Sequence, residues 1–237
     1  MKILAYIPAR SGSTRIKNKN IKNFLGKPLI AYTIKQALSC DFIDRVIVDT
    51  DSLKIAKIAK RYGAQVPFLR PRRLAASKTQ VIENIKYTLS KLKKDQGYTP
   101  DYLLILQTTS PLREKKDIEN CLRVMKEGGA TSVATVAPTH PRLYHLTSDK
   151  FIKLANKQDS GSSNVQDWQP GYIFNGAFVY LVKVRSLLKE NTVITKKTKA
   201  VICPKWRSVD VDTPEEWVMA EVLYKNKKKI YEKLKKV

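Results

Sequence analysis

Short, continuous apolar runs alternate with longer stretches of helical periodicity, and this alternation limits the possible folds more than any other feature. Ile3–Ile7 and Tyr102–Leu106 are apolar at nearly every position, the pattern of strands covered on both faces. Arg45–Val48, Gln65–Phe68, Ser132–Val136 and Ala177–Val182 read as further strands. Between them lie predicted helices. One runs from Pro28, a first-turn proline, to Leu38. A second is capped by Asp51 or Ser52, carries Leu53, Ile55, Ala56, Ile58 and Ala59, and stops near Gly63. Others cover Thr79 or Gln80 to Leu92, and Asp117 to Lys126. The last opens at Thr213-Pro214-Glu215-Glu216, a cap followed by a proline and first-turn acids. Strands that alternate with helices predict right-handed βαβ units. The expected fold is therefore α/β, a Rossmann-like, mostly parallel sheet.

The alternation breaks over residues 138–171. This stretch is polar, carries Pro138, Pro141 and Pro170, and contains a loop-like run from Asp159 to Asn164. It predicts an insertion or lid on a single domain that spans residues 1–237.

A chain of 237 residues, 43% of them hydrophobic, can bury a full core. No run of 18 apolar residues occurs, and the first apolar run is too short for a signal peptide. Cys40, Cys121 and Cys203 are scattered without metal-ligand spacing and predict reduced thiols in a cytoplasmic protein. The formal net charge of +24 suits anionic partners. Its lysines are spread along the whole chain, with no arginine-rich stripe interleaved with aromatics, which argues against a dedicated nucleic-acid surface. The densest run, Lys225 to Lys236, predicts a solvated helix end or tail.

Four segments carry chemistry. Ile7-Pro8-Ala9-Arg10-Ser11-Gly12-Ser13-Thr14-Arg15 leaves a buried strand at its carboxyl end, where open α/β sheets place ligands. Its small residues let backbone N–H groups approach an anion, and Arg10, Arg15 and Lys19 add positive charge, so the loop suits a triphosphate. It lacks both the Gly-Lys-Ser/Thr ending of a P-loop and the three-glycine dinucleotide spacing. Phe24-Leu25-Gly26-Lys27-Pro28 is a turn-and-helix signal. Gln107-Thr108-Thr109-Ser110-Pro111 ends a buried strand at the same sheet edge, and an amide such as that of Gln107 can both donate to and accept from a base edge. In Ser208-Val209-Asp210-Val211-Asp212-Thr213, extended backbone points Asp210 and Asp212 the same way. Two adjacent carboxylates repel unless a cation lies between them, and Mg²⁺ takes one or two carboxylates together with waters and phosphates.

In their joint order these segments resemble the acylneuraminate cytidylyltransferase family, the CMP-sialic acid synthetases and their legionaminic and pseudaminic acid relatives. The resemblance also rests on Asp49-Thr50-Asp51, on Val66-Pro67-Phe68-Leu69-Arg70-Pro71 and on Asn175-Gly176-Ala177. It implies that the anomeric hydroxyl of an acidic nine-carbon sugar attacks the α-phosphate of CTP and that pyrophosphate leaves. By family position Arg10, Lys19, Asp210 and Asp212 are the catalytic set, with Mg²⁺ (or Mn²⁺) on the two aspartates. The nucleotide would meet Ala9, Arg10, Ser13, Arg15, Lys19, Asn20, Arg70 and Gln107. The sugar would meet Gln107, Thr109, Ser110, His140, Arg142 and Asn175. A homodimer joined through the insertion is also implied.

The chain departs from the family pattern at Thr14, where a lysine is usual, at Ser77, where an aspartate is common, and at Ile173, where sialic-acid enzymes tend to place an arginine. The last departure points to a nonulosonic acid other than plain N-acetylneuraminate, with Arg142 as the substitute cation for its carboxylate. Two other readings are a CMP-Kdo synthetase, which Ser13-Thr14-Arg15 fits, and a basic nucleic-acid-binding protein on an inactive transferase fold. The second of these predicts loss of the acidic pair, which is present.

Overall fold

The structure, a computed structural model, describes residues 1–76, 79–155, 164, 168–176 and 178–236. Its centre is a seven-stranded sheet. β1 (Ile3–Pro8) pairs in parallel with β4 (Arg45–Asp49) on one side and β5 (Tyr102–Ile105) on the other, Tyr6 lying opposite both Ile47 and Ile105. The side chains of β1 divide between two cores. Ile3, Ala5 and Ile7 enter one, and Leu4 and Tyr6 the other. This is the physical content of the unbroken apolar run, since period-two alternation meets a helix layer on each face.

The first core is completed by α1 (Leu29–Leu38), α2 (Leu53–Arg61) and α4 (Lys115–Lys126) through Ile30, Ile34, Ile55, Ile118 and Cys121. The second is completed by α3 (Val81–Gln96) and α5 (Val184–Glu190) through Ile82, Ile85, Leu89 and Leu187. Each such aliphatic side chain, once buried, contributes about 1.5–3 kcal/mol. All three cysteines are buried and free.

Beyond β5 the order departs from a simple parallel succession. β10 (Tyr180–Lys183) lies antiparallel between β5 and β6 (Ser132–Thr139), and β11 (Thr198–Ile202) adds parallel to β6 at the edge. The strand expected at Gln65–Phe68 is reduced to a single bridge between Gln65 and Ile47.

The boundary expected for the insertion shifts. β6 continues through Pro138 and Thr139, and β9 (Gly171–Phe174) returns to pair with it, Gly171 opposite Thr139. The excursion proper lies between them and holds a separate hairpin of β7 (Tyr144–Leu146) and β8 (Ile152–Leu154). We call the β7–β8 hairpin together with β9 the arm. Part of the loop-like run around Asp159 lies outside the described residues.

Two features hold the site end of the molecule. A short hairpin, β2 (Asn23–Phe24) with β3 (Lys27–Pro28), places Phe24 edge-on to Tyr32 and Trp217, at centroid distances of 5.3 and 5.4 Å. A third core of Ile16, Phe24, Leu29, Tyr32, Val211, Trp217 and Ala220 thereby welds the first basic loop to the segment that carries the acidic pair and to α6 (Pro214–Lys225). The lysine-rich C-terminus forms α7 (Lys227–Leu234) and is docked at its start. Tyr231 lies edge-on to Trp206, its hydroxyl donates to Glu114 at 2.8 Å, and Lys227 pairs with Glu114 at 2.5 Å. No helix among the described residues is long and apolar enough to cross a membrane.

Candidate active site

The carboxyl ends of β1 and β5 open into a cleft of about 380 Å³, lined by residues from three of the four segments singled out in the sequence. Arg10, Ser13, Thr14, Arg15, Lys19 and Asn20 come from the loop after β1, Gln107, Thr108 and Thr109 from the end of β5, and Asp212 from the loop before α6. Arg70 lines it too. The structure adds a wall absent from the sequence reading: Leu74, Ala76, Thr79, Val81 and Asn84, from the segment leading into α3 and its first turn. Only the folded chain brings this mixed polar and apolar wall opposite the basic loop.

The basic loop is pinned at both ends. Ser11 donates to Asp51 from its backbone N–H at 2.8 Å and from its hydroxyl at 2.5 Å. At the far end the Asn20 amide donates to the Arg10 carbonyl at 2.9 Å and accepts from Thr108 at 2.6 Å. Asn20 therefore ties the loop to itself and to the end of β5. Ala9 is buried, its N–H donating to the Asp49 carbonyl at 2.9 Å, so it anchors the loop from below.

Asp212 faces the cations. Lys19 Nζ and Arg15 Nη2 each reach its carboxylate at 2.6 Å, and Lys19 also donates to the Val211 carbonyl at 3.0 Å. Burial works to raise the Asp212 carboxyl, but the hydrogen bond and charge of Lys19, together with Arg15, outweigh it and hold the group below its ordinary value. Its backbone is fixed from behind by the capping box of α6. Glu216 accepts from the N–H groups of Asp212 and Thr213 at 2.8 and 2.7 Å, and Thr213 accepts in turn from the Glu216 N–H.

Asp210 sits differently. It is partly buried, and one carboxylate oxygen, Oδ1, has no hydrogen-bond partner among the described residues. Burial pushes its carboxyl above the ordinary range, the Thr109 hydroxyl partly offsets this, and the charge of Asp212 adds to the rise. Its carboxylate lies on Gly176, where a Cβ would come within 2.6 Å of it, and Gly176 is held at φ +62°. A side chain at 176 is therefore excluded by both space and backbone. Among the described residues no group of three or more His, Cys, Asp or Glu forms a metal cage. The acidic pair, with its unpartnered buried oxygen, is the donor set that fits a hard cation completed by water and phosphate.

The remaining sequence candidates, like Ala9 and Asp210, fall outside the cleft lining. Asn175 is buried, accepting from Thr135 at 3.0 Å and donating to Ser208 at 3.1 Å, which joins β6 to the loop that leads to Asp210. Ser110 is fully buried. His140 and Arg142 pack on Trp168, the His140 ring edge-on at 5.3 Å and the Arg142 guanidinium 3.9 Å above the indole. Ile173 is half-exposed on β9 opposite Ala137, and Ser77 lies outside the described residues.

Two buried arginines escaped the sequence reading as structural parts. Arg113 is wholly buried and donates to the carbonyls of Phe178 and Gln107 and to Gln36, the last at 3.0 Å. Burial presses its pKa down, to about 9. It holds the backbone of Gln107 in place, assisted by the Thr33 hydroxyl at 3.3 Å. Arg207 grips Asp117 through two bonds, of 2.6 and 2.8 Å, behind the acidic loop.

Comparison with known proteins agrees with this geometry. A family model described as cytidylyltransferase matches residues 4–235. A CMP-N,N'-diacetyllegionaminic acid synthase of Legionella pneumophila is 34% identical over 94% of this chain and 96% of its own. A pseudaminic acid cytidylyltransferase of Campylobacter jejuni is 31% identical over 95% and 97%. An N-acylneuraminate cytidylyltransferase of Escherichia coli is 30% identical over 97% of this chain but 54% of its own length. Among solved structures, a CMP-2-keto-3-deoxy-manno-octonic acid synthetase complexed with CTP superposes with a TM-score of 0.71 at 16% identity, covering 96% of this chain and 100% of that one, a likeness of fold. With the family model matched almost from end to end, the chain belongs to the cytidylyltransferase family.

Proposed function

We propose that this protein uses CTP to convert an acidic nine-carbon sugar of the nonulosonic class into its CMP-sugar, releasing pyrophosphate. The observation that carries this reading is the meeting of Arg10, Arg15, Lys19 and Asn20 with Asp212 and Gln107 around one cleft at the carboxyl end of the central strands. In the reaction the anomeric hydroxyl oxygen bonds the α-phosphorus, the bond to the bridging oxygen of the β-phosphate breaks, and the electron pair leaves on pyrophosphate. The hydroxyl proton passes to bulk water.

The chain's own groups serve this step by position and charge. Arg10, Arg15 and Lys19 offset the negative charge that grows on the departing pyrophosphate. In the structure Arg15 and Lys19 rest on Asp212. A triphosphate offers these cations a stronger partner and frees the Asp212 oxygens. Asp210 and Asp212 would then hold Mg²⁺ (or Mn²⁺), which when bound neutralises phosphate charge and polarises the α-phosphate. Gln107, its backbone fixed by Arg113, and the wall from Leu74 to Asn84 suit a nucleobase, and the reading assigns that base as cytosine. Thr109, also in the cleft lining, is assigned to the sugar.

The sugar reading favours a legionaminic-type acid over plain N-acetylneuraminate, since Ile173 brings no charge to a carboxylate. The cation proposed for that carboxylate is Arg142. His140, Ser110 and Asn175 keep their proposed place near the sugar, with Asn175 acting through the loop it braces. A homodimer is proposed through the arm. Its exposed apolar residues Leu146, Phe151, Ile152, Tyr172, Ile173 and Phe174 are more than solvent alone accounts for, and a second copy would cover them.

The deciding experiment is pyrophosphate release with Mg²⁺, testing CTP, ATP, GTP and UTP against a panel of sugar acids that includes legionaminic, pseudaminic and N-acetylneuraminic acids and Kdo. Turnover with CTP and a nonulosonic acid is expected. Equal rates with all four nucleotides would sink the nucleotide reading, best turnover with N-acetylneuraminate would correct the sugar, and best turnover with Kdo would replace the substrate class.

A further inference from the structure

Behind Arg70 lies a buried arrangement that the proposed reaction leaves without a role. Arg70 Nε and Nη2 both donate to a single oxygen of Asp49, at 3.0 and 2.7 Å, and Nη2 also donates to the Asp49 carbonyl at 3.0 Å. The Tyr6 hydroxyl donates to the same carboxylate oxygen. Asp49, Arg70 and Tyr6 are all buried, and the backbone N–H of Arg70 is tied to the Thr50 carbonyl at 2.8 Å. A guanidinium has five N–H donors. Asp49 takes three of them. The two on Nη1 have no protein partner among the described residues, and Arg70 lines the cleft.

Stability alone is a poor account of this arrangement. A buried ion pair gains little over a well-packed apolar pair. Here the other carboxylate oxygen of Asp49 is left buried with no hydrogen-bond partner among the described residues. The cost is explained if the pair holds one edge of a guanidinium fixed and turns the opposite edge toward a ligand.

The geometry points to Asp49 and Tyr6 as positioning residues for nucleotide binding: they lock Arg70 so that its Nη1 edge faces the nucleotide. The inference rests on the reading of the cleft as the CTP site. It also gives β4 a place in that site. The Asp49 carbonyl anchors Ala9, and two residues on Asp51 anchors Ser11, so the end of one strand sets both the basic loop and Arg70. Lysine could not replace Arg70 here, because a single ammonium cannot be gripped on one edge and present another.

The test is calorimetric titration of CTP with Mg²⁺ into wild type, Asp49→Asn, Tyr6→Phe, Arg70→Ala and the Asp49→Asn/Arg70→Ala double variant, with Tm measured on each. Tyr6→Phe keeps the ring and removes only the hydroxyl, so it serves if Asp49→Asn does not fold. The expected results are a Kd for CTP raised about 10-fold by Asp49→Asn and about 3-fold by Tyr6→Phe, with no further loss from Asp49→Asn once Arg70 is alanine, as contact coupling requires. The KM for the sugar should stay unchanged in Tyr6→Phe. If Asp49→Asn or Tyr6→Phe lowers Tm while the Kd for CTP stays at wild type, the pair is structural and the inference is overturned. If Arg70→Ala itself leaves CTP binding intact, both the inference and the placement of the nucleotide against Arg70 fail.

Discussion

The cleft and the arm are made of the same chain but held in different ways. Around the cleft several polar groups are tied to another segment: Ser11 to Asp51, Asn20 to Thr108, and Lys19 and Arg15 to Asp212. The described residues of the arm lie mostly exposed instead. All three residues of β7 are exposed, as are Tyr172, Ile173 and Phe174 of β9. The first region is finished within one chain, and the second is apolar where it faces out. The difference teaches that nucleotide handling can be set by a single subunit, while the arm's surface calls for something to cover it.

The sharpest way to test the finished region is to change its acids. Asp210→Asn and Asp212→Asn should each lower kcat by ~10²–10³-fold, the scale of losing one preorganised charge at a reacting centre, with the fold unchanged. Pyrophosphate release together with circular dichroism checks this, and near wild-type rates in both variants would remove the acidic pair from the reaction. The next largest effect is expected at Gly176. A Cβ there meets the Asp210 carboxylate at 2.6 Å on a backbone of positive φ. Gly176→Ala should therefore displace Asp210 and cost ~10–100-fold in kcat, the scale of an ångström's misplacement. If kcat stays the same, the position of Asp210 is not critical.

The arm should respond the other way. Phe174→Asp, at a half-exposed position on β9, should convert the proposed dimer to a 27 kDa species in light scattering while leaving the Kd for CTP within about twofold, since distant sites are nearly additive. A variant that stays dimeric places the subunit contact elsewhere. One whose CTP binding collapses shows that the two regions are not separate.

The same contrast governs what could be read from the sequence. β1, β4, β5 and α1 to α4 were legible because their residues face two packed cores, and that burial leaves a periodic mark. The phosphate-facing loop and Asp210 with Asp212 were legible because charge and small residues cluster locally. β11 was not, since as an edge strand it buries only Val201 and so reads as polar. β7 and β9 left no alternation because nearly all their residues are exposed. Ile47–Gln65 shows the reverse error: the short apolar run after Gly63 has the composition of a strand but forms one bridge. Asp49 with Arg70 and Tyr6, Arg113 with the Phe178 carbonyl, and Arg207 with Asp117 join residues far apart in sequence. Nothing local announces that a buried arginine has found its partners.

The smallest expected effect separates the two aspartates themselves. Asp210 is raised by burial and by Asp212, whereas Asp212 is held low by Lys19 and Arg15 against its own burial. The signs of their links to stability are therefore opposite. For Asp210, whose folded pKa lies above the unfolded one, the favourable contribution is fully present below the ordinary carboxylate value and is lost as pH rises through the folded value. At neutral pH without metal the ionised group is a cost to the fold. For Asp212, whose folded pKa lies below the unfolded one, the contribution is present above the ordinary value and is lost as pH falls through the depressed one. In metal-free protein at pH 7, Asp210→Asn should thus keep or raise Tm, and Asp212→Asn should lower it. As pH falls, Asp210→Asn should converge on wild type below the ordinary carboxylate value of about 4, and Asp212→Asn only below the depressed folded value of Asp212. About 2–4 °C in Tm corresponds to 1 kcal/mol in a chain of this length, so scanning calorimetry can resolve the difference. If Asp210→Asn destabilises metal-free protein at pH 7 as much as Asp212→Asn does, the unpartnered oxygen of Asp210 carries no cost, and the case for a cation site built on it loses its physical basis.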